Sequence, residues 1–284
     1  MKGERLLAQG QFNILDIAKQ VRLDILRMFY VSGTGHLSPA FSCCDILCEL
    51  YFDGIVDTSA IFSNNRDRVI LSKGHAAAVL YAVLARAGYF ERSELLTYYQ
   101  RNTRLGGHPS TKLPGIETPT GALGHGICFA TGTAKAAKLD GKTFRTYVIL
   151  GDGESQEGSV WEAAEFAAKE CLDNMTVILD NNHIQASDRT ENIMPLRSVR
   201  SKWESFGWYV LETDGHNFDE LHKAFMQAKS HTGSPVIIIA ETVKGKGVSF
   251  IENNPDWHSR APKGTEWDII CEELGITRKE LERI

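Results

Sequence analysis

The feature that most limits what this chain can fold into is an alternation of short apolar runs with amphipathic stripes. Apolar runs at 68–71, 146–150, 175–180, 209–212 and 235–242 are separated by stretches at 76–88, 123–139, 158–170, 199–206 and 218–229 whose apolar residues recur every three or four positions. Continuous apolar strands, interleaved with helices, imply a mostly parallel sheet covered by helices on both faces. Ile14, Ile17, Val21, Ile25 and Met28 mark a further helix over 12–30, and another is expected over 42–53. Neither an internal repeat nor a change of composition marks a linker, so residues 1–284 read as one α/β domain.

Composition narrows the function classes. The 36 acidic and 31 basic residues give a formal charge of −5, and no basic run is long enough to follow a phosphate backbone, which excludes nucleic acid as the expected partner. Apolar residues make up 43% of the chain without any run of membrane-spanning length. The stretch 1–10 lacks the apolar core of a signal peptide, so a cytoplasmic location is expected. Cys43, Cys44, Cys48, Cys128, Cys171 and Cys271 form no C-x-x-C pair and read as buried, reduced thiols.

Ligands of a parallel α/β sheet gather outside the carboxyl ends of its strands, and the unusual residues fall there. Gly151-Asp152-Gly153-Glu154-Ser155-Gln156-Glu157-Gly158 follows one predicted strand, Asp180-Asn181-Asn182 a second, and Lys244-Gly245-Lys246-Gly247 a third. The first segment is not a dinucleotide fingerprint, because Gln156 stands where the third glycine is needed. Gly141-Lys142-Thr143 is not a P-loop, because Ala136 stands where its first glycine belongs. A loop that presents carboxylates instead of lysines suits a hard divalent cation, with a phosphate joining through the metal.

Gly151-Asp152-Gly153, followed after a helix and a strand by Asn181-Asn182, resembles the thiamine diphosphate signature. Ser32-Gly33-Thr34-Gly35-His36, Ser72-Lys73-Gly74-His75-Ala76, Gly106-Gly107-His108-Pro109, Thr120-Gly121-Ala122-Leu123-Gly124-His125-Gly126 and Asp256-Trp257-His258 extend the resemblance to the transketolase family over residues 12–262. The resemblance implies a three-layer thiamin diphosphate-binding fold. It also implies transfer of a two-carbon ketol unit from a ketose phosphate to an aldose.

By the same resemblance, Asp152, the Asn182 side chain and the main-chain oxygen of Ile184 hold Mg2+ or Ca2+ against thiamine diphosphate. Gly151, Gly153, Gly121, Leu123, His75 and His258 contact the cofactor. His36, His108 and His258 act on the donor sugar, and Glu157 lies where two copies meet. His125 stands where the family commonly has glutamine, and His183 lines the metal loop. His216, His222 and His231 read as solvated positions, and Trp257 as an anchor or cap for the substrate loop.

A transketolase also needs a pyrimidine-binding and a C-terminal domain, which the resemblance does not find in these 284 residues. The expectation is therefore a split enzyme: a separately encoded subunit supplies the pyrimidine domain, two copies of each assemble, and the chain alone is nearly inert. A capped helix after Ile276-Thr277 favours a natural subunit over a fragment. Leu37-Ser38-Pro39-Ala40 and Ala122 depart from the family pattern beside the donor pocket, so a specialised enzyme for a branched or sulfonated sugar stands beside the pentose phosphate enzyme. A deoxyxylulose phosphate synthase type and a regulatory cofactor-binding subunit are the remaining alternatives.

Overall fold

A computed structural model describes residues 13–57 and 61–284. The expectation for residues 1–10, the start of the first predicted helix at 12, and residues 58–60 lie outside the described residues.

The elements run α1 (Ile14–Ser32), α2 (Leu37–Ser42), α3 (Cys44–Phe52), β1 (Arg68–Leu71), α4 (Ala77–Arg86), α5 (His125–Leu139), β2 (Thr146–Gly151) and α6 (Gly158–Lys169). There follow β3 (Met175–Asn181), α7 (Thr190–Ile193), α8 (Val199–Ser205), β4 (Tyr209–Asp214), α9 (Phe218–Ser230), β5 (Val236–Glu241), α10 (Glu266–Leu274) and α11 (Arg278–Leu281). All five strands pair in parallel in the order β1-β2-β3-β5-β4.

The period of two along each strand divides the core into two clusters. Val69, Leu71, Tyr147, Ile149, Ile178 and Ile238 face α1, α3, α4 and α9. Their neighbours Ile70, Val148, Leu150, Val177, Leu179, Ile237 and Ile239 face α5, α6 and α8. Both faces of the sheet are thus dry, which is why the strands are continuous apolar runs and the fold has three layers.

Two departures from the sequence reading bear on function. Leu37-Ser38-Pro39-Ala40 opens α2, every residue of which is buried. The cysteines divide: Cys43, Cys44, Cys48 and Cys271 are buried, whereas Cys128 and Cys171 are exposed, because Cys128 lies on the outer stripe of α5 and Cys171 in the turn after α6. At the far end of the chain, Thr277 and Glu280 form the expected capping box at the start of α11.

A buried charge cluster ties the helical layer to the sheet. Arg22 of α1 donates two hydrogen bonds to Asp45 of α3, at 2.7 and 2.9 Å, and His216 after β4 lies 2.7 Å from the same carboxylate. His216 is therefore a packed linker and not a solvated residue. His231 likewise stacks on Tyr209 with ring centroids 4.2 Å apart, and His222 joins a carboxylate pair described below.

Burial works against the Asp45 charge, yet Arg22 and His216 outweigh it and hold the carboxyl down at about 2. A carboxylate depressed in the folded state adds stability that is present above its unfolded value near 3.8 and lost as pH falls towards 2. The shift corresponds to about 2 kcal/mol. Asp45→Asn, which leaves Arg22 buried without its countercharge, is expected to cost about 3–5 kcal/mol in urea denaturation at pH 7 and to flatten the acid limb of the stability profile. A loss below about 1 kcal/mol contradicts this assignment.

Candidate cofactor and active site

The carboxyl ends of β1, β2, β3 and β5 converge on one cavity of about 370 Å³, with Gly151, Asp152, Gly153, Glu157, Asn182 and Ile184 among its walls. His75, Gly121, Leu123, Lys244 and His258 complete the side facing the helical layer. The metal and cofactor residues expected from sequence therefore share one space.

Asp152 is 3% exposed. Its two oxygens accept from the Gly153 N–H and the Thr190 hydroxyl, each at 2.8 Å. Burial raises its pKa, and the nearby Asp180 charge adds to the rise. A cation beside this carboxylate would reverse that penalty.

Asn182 is oriented by its neighbours. Its amide nitrogen donates to Ser42 Oγ at 3.1 Å and to Asp180 Oδ2 at 3.3 Å, and its amide oxygen accepts from the Ile184 N–H at 3.0 Å. The oxygen is thereby turned away from Asp180. The Ile184 carbonyl accepts from Lys244 Nζ at 3.0 Å, and its second lone pair remains for another partner.

Asp180 itself is spent on structure. It is fully buried, forms an ion pair with Lys73, and accepts from the hydroxyls of Ser42 and Thr242. Burial opposes its charge, but Lys73 holds its pKa below the ordinary carboxylate value. With Asp180 committed to Lys73, it is Asp152 of this pair that is left for a cation.

Four histidines cluster together, of which His75 and His258 line the cavity and His36 and His108 lie behind them, outside its walls. The His36 ring lies 5.5 Å from His75, 5.4 Å from His258 and 6.2 Å from His108, and His75 lies 5.1 Å from His258. Glycines build this cluster. Gly35, at φ +128°, leaves a Cβ only 2.9 Å from the Tyr98 hydroxyl, and Gly121, at φ +138°, leaves one 2.6 Å from the His108 ring. No other residue fits either position.

Burial lowers the pKa of His36, and His108 and Lys244 push in the same direction. His75 falls well below its ordinary value through burial and the Lys73 charge. His258 is driven to about 3 by burial and by Lys244, whose Nζ lies 2.9 Å from its Nδ1. These three imidazoles are neutral at pH 7.

Glu157 stands exposed at the cavity rim as N-cap of α6. His125 is exposed at the start of α5. His183 pairs with Glu241 at 2.7 Å, outside the cavity wall. Trp257 is 3% exposed, with Arg260 over its ring, and so anchors the loop that carries His258.

Three residues of the site escaped the sequence reading. Lys244 lies in a segment that was legible as a strand-end loop, yet nothing in sequence said that it would reach both Ile184 and His258. Lys73 was visible only as part of a motif. Glu154 is the third: its buried carboxylate accepts from Ser72 Oγ at 2.6 Å and from the N–H groups of Gly124 and Gly151, each at 3.0 Å, joining the loop after β1, the start of α5 and the end of β2.

A parallel sheet whose strand ends hold a buried carboxylate, an oriented amide and a cluster of histidines defines a cofactor-binding α/β domain. A family profile described as "Transketolase, thiamine diphosphate binding domain" matches residues 16–282. The chain belongs to the transketolase family.

An apulose-4-phosphate transketolase subunit of Phocaeicola vulgatus is 37% identical over 263 residues, covering 92% of this chain and 94% of that protein. The 6-deoxy-6-sulfo-D-fructose transketolase subunit SqwG of a Clostridium species is 38% identical, covering 94% and 98%. Transketolase of Homo sapiens is 39% identical, covering 90% of this chain but 41% of that protein. The structure of transketolase from Leishmania mexicana superposes with a TM-score of 0.87 at 27% identity, and this chain spans 44% of its length.

Glu154→Gln turns an amide donor towards groups that are themselves donors. It is expected to destabilise the chain by about 1–3 kcal/mol in thermal or urea denaturation, more than Ser72→Ala, which removes one donor only. Equal stability of Glu154→Gln and the wild type contradicts the three-loop role.

Proposed function

We propose that this chain is the diphosphate-binding subunit of a split transketolase, which moves a two-carbon ketol unit from a ketose phosphate to an aldose with thiamine diphosphate and Mg2+ or Ca2+. The observation that carries the reading is the buried Asp152 carboxylate in one cavity with Asn182, His75 and His258. The residues present fit the cofactor: Asp152 has no lysine or arginine in contact among the described residues, the Asn182 oxygen is directed away from Asp180, and a Cβ at Gly153 would come within 2.8 Å of the Gln185 side chain, so glycine keeps this wall open.

In this reading Asp152, the Asn182 amide oxygen and the Ile184 carbonyl hold the metal. Gly151, Gly153, Gly121, Leu123, His75 and Lys244 surround the diphosphate and the ring that follows it. Bound thiamine diphosphate supplies the electron sink for carbon–carbon cleavage.

The histidines divide their work by hydrogen bonding. With Lys244 donating to Nδ1 of His258, the neutral ring carries its proton on Nε2 and offers it to a donor-sugar oxygen. His36, whose ring lies against those of His75, His258 and His108, is the group that takes the donor-sugar hydroxyl proton in this reading. His108, at the exposed edge of the cluster, meets the first hydroxyl of the two-carbon unit.

Relatives that match this chain over nearly their whole length and carry subunit names support a separately encoded partner with the pyrimidine domain. Assembly as two copies of each, in the cytoplasm, belongs to the same reading. The outward faces of α5 and α6, where Phe129 is 55% and Phe166 43% exposed, offer apolar surface for such an assembly. Among the described residues no helix is long and apolar enough to cross a membrane.

The subunit-length relatives are named for apulose-4-phosphate and 6-deoxy-6-sulfo-D-fructose. They favour a branched or sulfonated sugar phosphate or its analogue over the ordinary pentose phosphate donors. The buried start of α2, which replaces open backbone beside His36, is where such a preference would be set.

On the assembled pair of subunits, Asp152→Ala is expected to abolish metal-dependent cofactor binding in calorimetry. His258→Ala is expected to leave binding within a few-fold of wild type and to slow ketol transfer by about 10²–10⁴. Cofactor affinity unchanged in Asp152→Ala overturns the metal assignment. Tight binding without ketol transfer from any ketose donor overturns the enzymatic reading in favour of a regulatory subunit.

A further inference from the structure

Outside the strand-end cavity, one cluster combines metal-ligand chemistry with an unresolved charge. Glu49 lies on α3 and Asp53 caps it one turn later, so that both project from one side of the helix. His222 comes from α9. Its Nδ1 is 2.9 Å from Glu49 Oε1 and 2.7 Å from Asp53 Oδ2. One ligand atom from each of the three residues lies within 4.8 Å of the other two.

The cluster is short of positive charge. One ring nitrogen, carrying at most one proton, faces two carboxylates. No lysine or arginine pairs with either acid among the described residues. Glu49 has no solvent exposure, and its second oxygen has no hydrogen-bond partner there. Burial and the adjoining Asp53 carboxylate push Glu49 up to about 7. Such a group takes up either a proton or a cation.

We propose that Glu49, Asp53 and His222 form a second metal site, which binds one zinc-class divalent cation and clips α3 to α9. An imidazole nitrogen with two carboxylate oxygens suits zinc or cobalt, whereas magnesium and calcium prefer oxygen ligands alone. With bonds of about 2.0–2.2 Å, tetrahedral ligand atoms sit about 3.3–3.6 Å apart. The imidazole–carboxylate contacts of 2.7 and 2.9 Å need to open by about 0.4–0.9 Å to admit the ion. Asp53 and His222 are half exposed, with 48% and 41% of their side-chain surfaces open, which leaves a path for entry and a fourth position for water. The cation replaces the shared proton, so each carboxylate regains its charge with a partner.

The test uses the full chain carrying His75→Ala and His258→Ala, which removes the two imidazoles that line the strand-end cavity, titrated with Zn2+ or Co2+ alone. Calorimetry is expected to find one saturable zinc site that is absent when Glu49→Gln is added. Cobalt is expected to give a visible ligand-field band that disappears with Glu49→Gln and with His222→Ala. Zinc is expected to raise Tm only where all three residues are intact. His222→Ala changes a half-exposed side chain and keeps the test open if Glu49→Gln fails to fold. Equal zinc stoichiometry with and without Glu49→Gln, or a cobalt band that survives His222→Ala, overturns the proposal.

Discussion

The strand-end site depends on the buried ion pair between Lys73 and Asp180. Asp180, one residue before the end of β3, has no exposure, and its carboxylate gathers Lys73 from the loop after β1, Ser42 from the end of α2, Thr242 from the residue after β5 and the amide of Asn182. A buried carboxylate with fewer partners would be costly, and one so fully engaged fixes the relative positions of everything it touches. It sets which way the Asn182 amide faces. It also leaves Asp152, whose carboxylate accepts from the Gly153 N–H and the Thr190 hydroxyl, without a lysine or arginine in contact among the described residues.

Charge is then distributed across the cavity in opposite senses. On one wall Asp152 is raised by burial; on the other, burial, helped by the charges of Lys73 and Lys244, lowers His75 and His258. Lys244 stands between the two, hydrogen-bonded at once to the Ile184 carbonyl and to His258, and burial with Lys73 brings it to about 7. The cavity is thus arranged for a ligand that carries cation and anion together. The groups that would meet such a ligand are already oriented by hydrogen bonds within the chain.

Much of this was legible in sequence because the signals were local and periodic. The five strands follow from continuous apolar runs, and Asp152, Asn182, His36, His75, His108 and His258 follow from their motifs. What sequence could not supply were pairings across long separations. Glu154 sits inside a recognised motif, yet its three donors come from 72, 124 and 151. Lys244 reaches Ile184 and Gln185, sixty and fifty-nine residues away. His216 and His222 read as solvated because their partners, Asp45, Glu49 and Asp53, lie on a helix about 170 residues earlier. The helical start at Leu37 was obscured because a Ser-Pro pair usually marks a turn, although proline fits the first turn of a helix well.

The most direct measurement is a crystal structure of this chain with its partner subunit, grown with thiamine diphosphate and Mn2+ in place of Mg2+, with the anomalous signal of the metal recorded. The account predicts a manganese peak about 2.0–2.3 Å from an Asp152 carboxylate oxygen, the Asn182 amide oxygen and the Ile184 carbonyl, with the diphosphate beside it. A bound cofactor whose metal peak lies away from Asp152, or a cavity that stays without cofactor at saturating concentration, contradicts it.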